Sequence, residues 1–143
     1  MTLIAGGIEM MSQVPMSGFH TRLHPDMTED NIGMGFTAER VAVRWGITRE
    51  AQDAFAADSH RKAAAAKARG AFKDEIVPIP VSRVTWKGAV KSETPGTFDN
   101  DELVRADTNV EGLAKLKPAF SAKGTVTAGN ASPLSDGAAA VLL

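Results

Sequence analysis

The 143 residues include sixteen basic and seventeen acidic side chains, for a net charge of −1, and 43% are hydrophobic. A chain so nearly neutral has no general attraction for nucleic acid or an anionic membrane, so any anionic ligand must be held locally. With no cysteine, the chain can form no disulfide framework and no cysteine metal site, and it holds no cysteine nucleophile.

The stretch Met1–Ala5 lacks the basic start and long apolar region of a secretory signal, and no run is long enough to span a bilayer, so a soluble, cytoplasmic protein is expected. Thr2–Ala5 is a short apolar run that ends at Gly6-Gly7, which predicts a buried strand leading into a loop. Residues 12–33 hold Pro15, Gly18, Pro25 and Gly33 and read as a long irregular connection. His20 and His24 are spaced i, i+4, as two metal ligands on one helical face would be. Gly18 and Pro25 argue against a helix there and no third ligand is apparent, so no metal is expected.

Thr37 is the predicted cap of a helix whose apolar positions Ala38, Val41, Ala42 and Trp45 share one face, with Gly46 at its end. Thr48 caps a second, acidic in its first turns at Glu50 and Asp53 and terminated at Gly70. At about 22 residues it would span roughly 33 Å and bury Ala51, Ala54, Phe55, Ala63 and Ala66. His60, alone within it, is read as a solvated or hydrogen-bonded side chain rather than a catalytic base. Ile76–Val81 is rich in β-formers but holds Pro78 and Pro80, so a strand there must lie at a sheet edge. Residues 82–100 read as turn-rich, and Asp101–Arg105 as a short link. Thr108–Leu116 predicts a helix capped by Thr108, with Glu111 and Lys115 paired on its outer face and Pro118 stopping it.

Gly124–Leu143 begins with small and hydroxylated residues, passes Gly129 and Gly137, and finishes in an apolar run, which predicts strand, tight turn and a second buried element. Two meanings remain open on the pattern. The glycines serve turns and the alanines close packing, or the backbone here receives an extended, amide-bearing ligand beside the hydroxyls and amides of Thr125, Thr127, Asn130, Ser132 and Ser135. Apolar runs at both ends of the chain predict a piece from the middle of a longer polypeptide, with its neighbours in the core missing.

Gly124-Thr-Val-Thr-Ala-Gly-Asn-Ala-Ser132 followed by Leu134-Ser-Asp-Gly-Ala-Ala-Ala140 resembles the segment that closes the loop domain of thiolases and re-enters their N-terminal core. Ala5-Gly-Gly-Ile-Glu-Met-Met-Ser12, Met34-Gly-Phe-Thr-Ala-Glu39 and Lys115-Leu-Lys-Pro-Ala-Phe120 resemble other thiolase stretches in the same order, so the similarity covers nearly the whole chain. It implies an α/β fold, a fragment of the thiolase αβαβα arrangement, whose loop domain has two or three helices, with short strands from the N-terminal core. Residues 1–12 would be part of that core, 13–123 the loop domain that binds coenzyme A and helps form tetramers, and 124–143 the return into the core.

The resemblance further implies acyl transfer between a 3-ketoacyl-CoA and CoA through a cysteine thioester, with coenzyme A as substrate and no other cofactor or metal. The family's nucleophile precedes the Ala5 stretch and its remaining catalytic groups follow residue 143, so this chain alone is expected to be inactive and to supply coenzyme A-binding surface. Arg105 matches the position whose guanidinium lies against the adenine and phosphate end, a role suited to a permanently charged planar fork. Ala128 and Ser132 match positions lining the pantetheine channel, and Met34 and Phe120 match apolar residues walling it near the reactive end. On the residues alone, Arg105 reads equally as a surface charge and Met34 and Phe120 as core. Gly33 stands where short-chain biosynthetic thiolases tend to carry histidine and Gly112 where some members have serine, whereas Phe98–Glu102 and Leu134–Gly137 look closer to degradative 3-ketoacyl-CoA thiolases. Short-chain acetyl-CoA acetyltransferase remains the alternative substrate class; a free acyl-CoA-binding or subunit-association module is the alternative function. The partners implied are acyl-CoA or CoA and further copies of the intact protein, as a dimer or tetramer.

Overall fold

The computed structural model describes residues 2–14 and 33–143. The chain divides into two compact units, Met1–Gln52 with Leu116–Leu143, and Asp53–Lys115. His20 and His24 lie outside the described residues, as does most of the predicted connection over 12–33.

In the first unit, strand β1 (Ile4–Glu9) pairs antiparallel with the last strand of the chain, Gly137–Leu142, in a register running from Ile4↔Leu142 to Glu9↔Gly137. Leu3 and Leu143 extend the ladder with two backbone bonds of 3.0 and 2.8 Å. Gly6 and Gly7 are thus inside the strand rather than starting a loop. Both strands are exposed along their length, whereas buried elements were expected at each end. Alternating patterning implies a face that seeks cover, but in a sheet of two strands that cover has to come from elsewhere. A single 3-10 turn, Met11–Gln13, follows β1.

Helix α1 (Met34–Trp45) starts three residues before the expected cap. Gly33 is its N-cap, and the Thr37 hydroxyl donates instead to the Gly33 carbonyl one turn back, at 3.5 Å. Its end is as predicted: Gly46 adopts φ 63°, and the Ile47 N–H reaches the Ala42 carbonyl at 2.9 Å, closing the helix with a Schellman turn. Of the expected apolar face, Ala42 is buried while Val41 and Trp45 stay exposed.

Helix α2 (Arg49–Ala68) begins in the first unit and continues into the second. The Thr48 hydroxyl accepts from the Ala51 N–H at 3.2 Å, the capping bond the sequence predicted, and Gly70 ends the helical stretch at φ 70°. Only Ala66 of the expected buried set is buried, and Phe55 is 79% exposed, while Asp53 is 1% exposed. Alanine dominates this helix and offers little contrast between faces, so spacing did not select the buried one.

The largest departure is in the second unit. Residues 79–98, read mostly as turns, form a hairpin of β2 (Ile79–Lys87) and β3 (Val90–Phe98). Gly88, at φ 64°, is the first central residue of a two-residue turn, the position where a type II′ hairpin requires glycine. Pro80 pairs with Thr97 and Pro95 with Ser82. Among the described residues each strand has one partner, so a missing N–H can face outward at no cost to the ladder. Helix α3 (Val110–Ala114) is shorter than expected, and its cap is Asn109 rather than Thr108: Asn109 Oδ1 accepts from the Gly112 N–H at 2.8 Å. Asparagine reaches the N3 amide with a carbonyl oxygen whose geometry suits the extended N-cap backbone. Leu113 of α3 is buried. Strand β4 (Gly137–Leu142) is the return strand paired with β1.

Candidate functional site

A dense polar network lies where residues 124–131 meet α1 and the start of α2, all within the first unit. Glu39, on α1, directs its carboxylate at the backbone of this segment. Oε1 accepts from the N–H groups of Thr125 and Val126, each at 3.0 Å, and Oε2 accepts from the Thr125 N–H at 3.0 Å and from its hydroxyl at 3.4 Å. Gln52 donates one amide hydrogen to Thr125 Oγ1 at 2.9 Å and another to the Ile47 carbonyl at 3.2 Å. A side chain at position 124 would occupy the carboxylate's place, since a Cβ on Gly124 would come within 2.6 Å of Glu39 Cδ.

The segment also binds itself. Asn130 Oδ1 accepts from the Thr127 N–H at 2.7 Å, and its amide donates to the Thr125 carbonyl at 3.1 Å. Thr127 is wholly buried, and its hydroxyl accepts from the N–H groups of Gly129 and Asn130 at 3.2 and 3.3 Å. Its neighbour Val126 is buried too and accepts from the Ala119 N–H at 2.9 Å, beside a β-bridge between Pro118 and Thr127. Among the described residues no buried side-chain polar atom lacks a partner. Satisfied buried polar networks of this kind favour one arrangement over its alternatives.

Ala128, inside the bonded turn, and Ser132, just beyond it, are both exposed. Phe120 follows the bridge and makes an edge-on contact with Phe36 of α1, ring centroids 6.3 Å apart. Its ring also lies against Gly35, where a Cβ would come far inside contact distance of Cδ1. Met34, one residue earlier at the start of α1, is 79% exposed. Four of the five sequence-predicted binding residues, Met34, Phe120, Ala128 and Ser132, therefore belong to the first unit. Phe120 is 39% exposed, and none of the four is buried in a core.

Arg105 belongs to the second unit, and its side chain is exposed. Its backbone is held at two points: its N–H donates to His60 Nδ1 at 3.2 Å, and its carbonyl accepts from Thr108 at 3.2 Å. The imidazole thus has the hydrogen-bonded role expected of it. Asp101 shapes the preceding link, its carboxylate accepting from the Leu103 N–H at 2.9 Å and its carbonyl from Lys67 Nζ at 3.2 Å.

Glu39 was missed as a contributor, although it closes the Met34–Glu39 stretch on which the resemblance partly rests. An acidic residue within the middle of an amphipathic helix reads as a solvated one unless its partners, 86 residues away in sequence, are known. Among the described residues no cluster of three or more metal-ligating side chains occurs, and no helix is long and apolar enough to cross a membrane.

The thiolase N-terminal domain matches residues 1–143. A 3-ketoacyl-CoA thiolase of Bacillus subtilis is 53% identical, covering 99% of this chain and 38% of that protein. An acetyl-CoA acetyltransferase of Pseudomonas aeruginosa is 50% identical over the same shares, 99% and 38%. The crystal structure of Bacillus anthracis acetyl-CoA acetyltransferase superposes with a TM-score of 0.71 at 38% identity, covering 99% of this chain and 37% of that one. The chain thus spans a little over a third of the length of these relatives. The α/β fold, the order of the motifs and a match along the whole sequence agree: the chain belongs to the thiolase family, by its N-terminal domain.

Proposed function

We propose that this chain is part of an acyl-CoA thiolase and supplies coenzyme A-binding surface for acyl transfer between a 3-ketoacyl-CoA and CoA. The observation that carries the reading is the clamped 124–131 segment, which presents a small side chain at Ala128 on a backbone bonded on both sides and leads directly to the exposed hydroxyl of Ser132. A pantetheine arm is a thin chain with two amides, and a rigid wall with a methyl group and a single hydroxyl suits it. Phe120 and Met34 supply apolar surface in the same unit, and Arg105 supplies the cation for the phosphate end.

In the reaction, a thiolate attacks the 3-keto carbon, the bond between C2 and C3 breaks, and acetyl-CoA leaves after its C2 takes a proton. CoA then accepts the acyl group from the resulting thioester. The nucleophile is a cysteine that this chain lacks, so the chain by itself is inactive. Within the family, residues 1–12 and 124–143 belong to the N-terminal core and 13–123 to the loop domain. The protein works in the cytoplasm as a dimer or tetramer.

Isothermal titration of the chain with CoA tests the reading. The wild type binds weakly, and Arg105→Ala raises the dissociation constant about ten-fold, as loss of a charge-assisted contact would. The difference shrinks as salt rises, because an exposed ion pair is screened. Ala128→Leu, which fills the pantetheine wall, abolishes binding. Unchanged binding by both variants would show that the assigned surface does not hold coenzyme A.

A further inference from the structure

We propose that Glu39 is a positioning residue for the coenzyme A surface, holding the 124–132 segment in the conformation that presents Ala128 and Ser132. The inference rests on the coenzyme A reading above, and it adds a residue that touches no ligand. Two successive N–H groups, those of Thr125 and Val126, point at one oxygen of Glu39, both at 3.0 Å. Adjacent amides aimed at one point form a small concavity that favours an anion. Here the anion is built into the protein.

Three features show that the site is built around this carboxylate. Gly124 leaves the volume that the carboxylate occupies. The Thr125 hydroxyl, accepting from Gln52, turns its own hydrogen to Glu39 Oε2. On the far side the Thr125 carbonyl is tied to the Asn130 amide at 3.1 Å, so a displacement at Thr125 is passed to the turn that contains Ala128 and leads to Ser132. The same displacement reaches Phe120 by way of Val126, whose carbonyl accepts from the Ala119 N–H at 2.9 Å. One carboxylate therefore sets both the polar wall and the aromatic side of the surface.

Glu39→Gln keeps the shape and one acceptor oxygen but removes the charge and places an NH2 group opposite a hydroxyl already accepting from Gln52. Two readouts are taken on the whole chain: titration with CoA, and amide hydrogen exchange resolved by peptide. The expected result is a dissociation constant raised about ten-fold at unchanged stoichiometry. Exchange should accelerate over residues 124–132 while the 79–98 hairpin keeps its wild-type rate. A merely structural role would give fewer competent molecules of unchanged affinity, or faster exchange throughout, and either result overturns the proposal. Glu39→Ala serves as a second variant with a larger expected effect, and Glu39→Gln keeps the test valid if the alanine variant does not fold. Wild-type affinity in Glu39→Gln overturns the role of Glu39 alone. If the wild-type chain itself does not bind CoA, the coenzyme A reading is overturned and the proposal with it.

Discussion

Gly35→Ala sets two principles against each other. Gly35 is the second residue of α1, and in a helix alanine is favoured over glycine by about 0.5–1 kcal/mol, so helix propensity alone predicts stabilisation. The structure predicts the opposite sign, because the added Cβ would come within 3.0 Å of Cδ1, Cε1 and Cγ of Phe120, far inside contact distance. Cγ is the ring's root, bonded directly to Cβ, so the ring cannot escape by moving its tip and must leave as a whole. Phe120 is 39% exposed, and uncovering the rest loses more than half of the roughly 1.5–3 kcal/mol that full burial of such a side chain contributes. The edge contact with Phe36 adds about 0.5–1.5 kcal/mol to the loss. After subtracting the helical gain, Gly35→Ala should destabilise by about 1–2.5 kcal/mol, within the range for overpacked sites. Urea unfolding followed by far-UV circular dichroism measures it. In a Phe120→Ala background the collision is gone, and the same substitution should stabilise by about 0.5–1 kcal/mol. Stabilisation in the wild-type background, or the same sign in both backgrounds, would show that the Phe120 ring does not limit the space at Gly35.

Asp136 accepts from the Ser12 N–H and hydroxyl, both at 2.8 Å, and the backbone bond first, then the hydroxyl, holds its carboxyl below the usual aspartate range. A folded-state pKa below the unfolded one gives stability that is present above the unfolded value, near pH 4, and is lost as pH falls through the folded value. The stability gap between wild type and Asp136→Asn should therefore be constant above about pH 4 and close at lower pH; a gap that widens on acidification would contradict the assignment. Asn109→Ala removes the α3 cap and should cost about 1 kcal/mol by urea unfolding, whereas Thr108→Ala should cost under about half of that. His60→Ala frees the Arg105 N–H and should speed amide exchange at Arg105 without altering the exchange of the 124–132 segment; equal change at both would mean the effect is global.

Three helix ends were legible in the sequence because each is fixed by one residue with a local job, whereas the start of α1 at Gly33 rather than Thr37 was not. Gly46 and Gly70 adopt left-handed backbone that other residues resist, and the Thr48 hydroxyl reaches an amide three residues on. Choosing between neighbouring cap candidates was harder: Thr108 and Asn109 are both acceptable by type, and only the backbone geometry at Asn109 decides. The hairpin was concealed by Pro80 and Pro95, which argue against a central strand but not against two strands that each have a free edge, and its signal was Gly88 between runs holding Val81, Val84 and Val90. Burial was the least legible property. Ile4, Ile8 and Leu142 are apolar in the right alternation, yet exposure depends on what lies over them, which a local pattern does not contain. At the candidate site, the glycines and hydroxyls of 124–132 marked the segment, while Glu39 and Gln52 were invisible because their partners are far away in sequence.

Thr125 carries a constraint of direction. Both hydrogens of the Gln52 amide are used, on Ile47 and on Thr125, so the hydroxyl oxygen receives and its hydrogen must go to the carboxylate. The relay runs one way, from the start of α2 through a single hydroxyl to the middle of α1. Replacement of that residue is consequently restricted by handedness of donation rather than by size. Serine keeps both halves of the exchange, whereas valine, although it matches threonine in shape, would leave one Gln52 hydrogen without its acceptor and take the hydroxyl bond from Glu39 Oε2, which would keep only the backbone N–H of residue 125. In a lineage that drifts at this position, substitution by valine should be accompanied by simultaneous change at residues 39 and 52, and the three sites should vary as one unit.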